Sequence, residues 1–111
     1  MKKVYNKLVR DLIPEIIKAN GENPITRILE SSEYKIELEK KLREECEEVL
    51  GAVNSKARIE ELADVYEILS ALAKLENSSI DEVALVAKAK ADKRGAFDKK
   101  VYLEEVEENE Q

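Results

Sequence analysis

The chain has 111 residues, a formal net charge of −6, no histidine and one cysteine. That length holds one domain with a modest core, the negative balance argues against a nonspecific nucleic-acid binder, and a lone Cys46 excludes an internal disulfide. Charged residues make up 40% and aromatics 5%, with three glycines and two prolines, a composition that reads as mostly helical.

The basic start Met1-Lys2-Lys3 leads into mixed polar sequence rather than a signal peptide, and no apolar run approaches the ~18 residues of a membrane span. The expectation is a cytoplasmic protein without a membrane partner. Val4, Leu8 and Val9 stand among bases before Pro14, which suits the first turn of a short helix through Ile16 and Ile17, stopped by Asn20-Gly21. Asn23-Pro24 marks a turn. The β-branched and apolar residues 25–29 predict a short strand.

Ser31 or Ser32 is placed to cap a long helix over 32–53, and Asn54-Ser55 to end it and cap the next. Within the first, Leu38, Leu42 and Val49 fall in an arc of about 40° at 100° per residue, and Glu45 lies in the same stripe. The next, 58–75, is apolar nearly all round (Ile59, Leu62, Val65, Tyr66, Ile68, Leu69, Leu72, Leu75), which suits a buried element that asks for a partner. Ser79-Ile80-Asp81-Glu82 has capping-box form and opens a helix to Arg94, ended by Gly95. Its stripe is Ile80, Val83, Ala84, Ala87 and Ala91, with Arg94 one turn on. Residues 101–103 predict a second strand able to pair with 25–29, and the acidic tail 104–111 is expected to fray. The fold expectation is therefore an all-α bundle over 1–103 with a small two-stranded accessory.

The chemistry concentrates in the two long helices. Glu44-Glu45-x-x-Glu48 is answered by Glu61-x-x-Asp64. Residues three apart share a helix face, so Glu45 with Glu48 and Glu61 with Asp64 form carboxylate pairs that antiparallel helices bring together. Half-buried acids without a balancing base repel one another, and each uncompensated buried charge costs several kcal/mol. A divalent cation relieves this, and carboxylate-only donors favour Mg2+ or Mn2+ over zinc. Residues 30–67 hold twelve acids against six bases, whereas 88–100 hold six bases (Lys88, Lys90, Lys93, Arg94, Lys99, Lys100) against Asp92 and Asp98. An acidic centre beside a basic flank fits a metal-plus-polyphosphate site. The basic run fits a solvated helix end equally well. No Gly-rich phosphate loop, C-x-x-C pair or Ser-His-Asp set is present.

At these residues the chain resembles the all-α NTP pyrophosphatases, the MazG and phosphoribosyl-ATP pyrophosphohydrolase superfamily. Asn6-Lys7-Leu8-Val9-Arg10-Asp11 with Ile13-Pro14-Glu15-Ile16-Ile17, and Lys90-x-x-Lys93-Arg94-Gly95-Ala96-Phe97, resemble its small stand-alone MazG-like branch of house-cleaning enzymes. Leu12 and Ala96 depart from that pattern, standing where the branch usually has a base and a second glycine. The resemblance implies that Glu45, Glu48, Glu61 and Asp64 hold Mg2+, and that Lys90, Lys93 and Arg94 contact phosphates. It also implies hydrolysis of a nucleoside triphosphate to the monophosphate and pyrophosphate, in a homodimer or higher homo-oligomer with the site near the interface. Glu44, one turn from Glu48, is placed to orient water as base, and reads equally as a solvated acid. The competing expectations are a catalytically silent nucleotide- or partner-binding module and a purely structural helical assembly.

Overall fold

The computed structural model describes residues 2–108. It is all-α, with helices α1 (Ile13–Ala19), α2 (Ser31–Leu50), α3 (Ser55–Leu75) and α4 (Ile80–Arg94). No helix among the described residues is long and apolar enough to cross a membrane. The chain divides into two compact units, one reaching Ile80 and one beginning at Asp81.

Local chemistry accounts for the helix ends. Pro14 occupies the first turn of α1, where its missing N–H costs nothing. The helix closes on Gly21 at φ +83°, whose N–H donates to the Lys18 carbonyl at 2.9 Å while that of Glu22 reaches Ile17 at 3.2 Å. Asn54 caps α3 as expected: its side-chain oxygen accepts from the Ala57 N–H at 2.8 Å. α2 differs, because Ser31 and Ser32 are already helical and Glu30 at the N-cap makes no side-chain cap bond. Arg27 instead grips Glu33 in the first turn through two bonds, Nη1 to Oε1 at 3.0 Å and Nη2 to Oε2 at 2.7 Å. The hydrogen bonds from Arg27, and secondarily its charge, hold the Glu33 carboxyl below its ordinary range. α2 also stops at Leu50 rather than 53, with the Gly51 N–H closing on the Glu47 carbonyl at 2.9 Å.

The two expected strands are not formed. Residues 25–29 and 101–103 are irregular, and no strand occurs among the described residues. β-branched composition favours a strand only where a neighbouring ladder and a buried face exist. Here Ile25 and Ile28 are 89% and 96% exposed, and Val101 and Tyr102 are also open to solvent. Residues 104–108 of the acidic tail are exposed and outside any helix; the remainder, 109–111, lies outside the described residues.

In the first unit α2 packs on α3. Leu38, Ile68 and Ala73 are the buried hydrophobic residues. Around them, the less exposed positions on α2 include Tyr34, Leu38, Leu42, Glu45 and Val49, spaced along one helix face, with Glu33, Glu37 and Lys41 also half-buried. On α3 they include Ala57, Glu61, Asp64, Val65, Ile68 and Leu72. The packed face of each helix therefore carries carboxylates as well as aliphatics. The other face of α3 leaves a second apolar stripe open: Ile59 is 66%, Leu62 49% and Tyr66 55% exposed. In the second unit α4 ends at Arg94 before Gly95, at φ +84°, and buries none of its residues.

Truncating the central core side chain, Leu38→Ala, is expected to lower unfolding free energy by about 2–4 kcal/mol. Ile28→Ala, in the segment that forms no strand, should change it by less than about 0.5 kcal/mol. Urea denaturation of both variants checks the contrast; a loss at Ile28 matching that at Leu38 would mean the segment has a buried partner.

Candidate metal centre

Three of the four carboxylates singled out in the sequence converge. Glu45 from α2 and Glu61 and Asp64 from α3 each offer one oxygen, all within 4.8 Å of one another, and all three residues are half-buried. The convergence follows from the helix pairing. Glu45 continues the stripe of Leu38 and Leu42, while Glu61 and Asp64 precede Ile68 on the face that α3 turns toward α2. Glu48, the fourth expected ligand, is exposed and outside the triplet, although its charge is felt at Glu61.

The electrostatics are uneven. Asp64 Oδ1 accepts a 2.7 Å bond from Arg10 Nη2, and Glu45 Oε1 lies 3.9 Å from Lys41 Nζ. Glu61 has no cation partner among the described residues. Lost hydration pushes its carboxyl above the ordinary range, reinforced by the negative charges of Glu45 and Asp64, a hydrogen bond with Glu45 and the charge of Glu48. Acid oxygens this close, one of them reluctant to ionise, suit a hard divalent cation that removes the repulsion. Hard oxygen donors without nitrogen or sulfur favour Mg2+ or Mn2+. The residues present fit such an ion.

Glu44 is exposed and outside the triplet, and it lines a cleft of about 250 Å³ beside α2. Lys7 and Leu8 of the N-terminal segment and Lys40 and Arg43 of α2 share that cleft. Lys90, Lys93 and Arg94 belong to the second unit, where all three are exposed on α4. Lys93 and Arg94 sit in its last turn, where positive charge suits the helix dipole, and none of the three has an ion-pair partner among the described residues.

Arg10 is the residue that sequence reasoning did not assign to the site. It lies 54 positions from Asp64 in an irregular segment, so no helical periodicity links the two. The only signal was its place in the Asn6–Asp11 motif.

No protein-family profile matches the chain, and no solved structure matches it. Among curated proteins, an uncharacterized protein of Mycolicibacterium smegmatis (strain ATCC 700084 / mc(2)155) is 44% identical over 54 residues. The match takes in 49% of this chain and 55% of that protein, so the chain spans about half the length of the curated relative.

The raised Glu61 carboxyl sets the sign of a pH effect. The folded chain holds that proton to higher pH than the unfolded chain, so this stabilising contribution is present below the unfolded pKa and lost as pH rises through the folded one. In the metal-free protein the urea midpoint is expected to fall across the upper carboxylate range, and Glu61→Gln to flatten that fall. An identical pH profile in wild type and variant would place no strain at Glu61.

Proposed function

We propose that the protein is a Mg2+-dependent nucleoside triphosphate pyrophosphohydrolase of the MazG-like kind, acting in the cytoplasm on non-standard nucleotides. The observation that carries this reading is the meeting of Glu45, Glu61 and Asp64 from two packed helices. It coincides with the acidic signature of the family that the N-terminal and Lys90–Phe97 motifs also resemble.

In this reading Glu45, Glu61 and Asp64, joined by Glu48, hold Mg2+. The ion supplies charge neutralisation at the phosphates and a more acidic water. Glu44 takes a proton from the water that attacks the α-phosphorus in line; the new P–O bond forms as the bond to the bridging oxygen breaks, and pyrophosphate leaves. The resemblance assigns phosphate oxygens to Lys90, Lys93 and Arg94, with Arg94 offering the two-pronged geometry that lysine lacks.

A homo-oligomer accompanies the proposal. The open stripe of Ile59, Leu62, Tyr66 and Leu69 on α3 recurs at alternating spacings of three and four, the pattern of a helix seam. Leu62 adjoins Glu61, so a partner seated on that stripe lies near the acids.

The ion pairs of Arg10 with Asp64 and Lys41 with Glu45 favour a second reading, in which the cluster is balanced by protein cations and the chain is a catalytically silent helical module. Metal dependence separates the two. Binding only to the folded state stabilises by RT ln(1 + [L]/Kd), about 2.7 kcal/mol at a hundredfold excess. Millimolar Mg2+ should therefore raise the melting temperature of the wild type and leave that of Glu61→Gln nearly unchanged.

A panel of ordinary and damaged nucleoside triphosphates, assayed for pyrophosphate with Mg2+, tests the activity. Arg94→Ala is expected to lower turnover by about 10²–10³, the scale of losing one preorganised charge-stabilising donor, without altering metal binding in the absence of nucleotide. Lys88, 3.9 Å from Asp92, serves as the control, and Lys88→Ala should matter far less. Equal near-wild-type turnover in both variants would remove the end of α4 from the active site.

A further inference from the structure

The N-terminal segment supplies cations to the same acids that the two long helices bring together. Arg10 Nη2 holds Asp64 Oδ1 at 2.7 Å, and this is the side-chain hydrogen bond that the guanidinium makes among the described residues. The rest of its fork of N–H donors is uncommitted. The side chains of the pair are 57% and 41% exposed, and exposed pairs of this kind hold weakly. Three positions earlier, Lys7 lines the cleft on α2 with Lys40, Arg43 and Glu44. Neither Lys7 nor Arg43 has a carboxylate partner among the described residues. One short stretch of irregular chain thus sets one cation against α2 and another on α3, beside acids with no charge-balancing partner at Glu61.

A guanidinium on Asp64 and a divalent ion held by Asp64 compete for the same carboxylate. Once the ion neutralises that carboxylate, Arg10 loses its partner's charge but stays tethered within a side-chain length of the site, with a planar fork suited to phosphate. We infer that Arg10 is a phosphate-binding residue of this site: it balances Asp64 while the site holds no metal, and passes to the phosphate chain of the substrate when metal and polyphosphate arrive together. This rests on the pyrophosphohydrolase reading and adds to it a substrate contact from the first unit, where that reading draws its phosphate contacts from α4. Lys7 and Arg43 add further cations in the α2 cleft, which also holds Glu37 and Glu44.

The roles make opposite demands, which a merely structural anchor does not. Removing the charge frees Asp64 for metal and deprives phosphate of its fork. The probes are Mn2+ alone, followed through the loss of its free-ion paramagnetic resonance signal, and inorganic triphosphate with saturating Mn2+, followed by calorimetry. Arg10→Ala is expected to bind Mn2+ roughly three- to tenfold more tightly than wild type, the scale of one nearby exposed charge. It should bind triphosphate about tenfold or more weakly, the scale of one lost charge-assisted contact. Arg10→Lys keeps charge and tether, so it should bind Mn2+ as wild type does and triphosphate more weakly. It also decides the matter should the alanine variant fail to fold. A wild-type chain that takes Mn2+ while the variants match it in triphosphate affinity overturns the assignment of Arg10 alone. A wild-type chain that takes no Mn2+ overturns the pyrophosphohydrolase reading, and this inference with it.

Discussion

The packing of α2 on α3 brings hydrophobic contact and like-charge repulsion together on the same faces. Leu38 and Ile68 draw the helices together, and the faces that hold them also hold Glu45, Glu61 and Asp64. Helical periodicity makes the coupling unavoidable: burying Leu38 and Leu42 sets Glu45 against α3, and burying Ile68 sets Asp64 and Glu61 against α2. At Glu61 lost hydration and the neighbouring acids raise the carboxyl above its ordinary range, and Asp64 takes Arg10 as a partner. Half-buried like charges are weak evidence for stability; on the proposed function these acids are the metal ligands.

The open surfaces fit the same account. A core of Leu38, Ile68 and Ala73 is small for a chain this long, while α3 shows solvent a second apolar stripe and α4 buries nothing. The proposed homo-oligomer would cover the α3 stripe next to the acids, and on that proposal stability and activity depend on one association, so dilution is expected to weaken both together.

Helices were legible because their determinants are local. The Pro14 start, the Asn20-Gly21 stop, the Asn54 cap and the Gly95 end are short-range rules, and each appears in the fold. The carboxylate triplet was legible because a helix face is a fixed geometric consequence of spacing. The strands were misread for the opposite reason. Residues 25–29 have strand composition, but a strand exists only with a neighbour, and Arg27 instead turns to Glu33. Arg10 escaped for the same reason in another form: its partner is distant in sequence and its segment has no period. Glu48, one turn after Glu45, is exposed and outside the triplet.

The most direct measurement is anomalous diffraction from crystals grown with Mn2+ and a non-hydrolysable nucleoside triphosphate. A manganese peak about 2.1 Å from carboxylate oxygens of Glu45, Glu61 and Asp64 is the predicted result. Ordered nucleotide with no manganese at those three residues, or manganese only on exposed acids elsewhere, would contradict it.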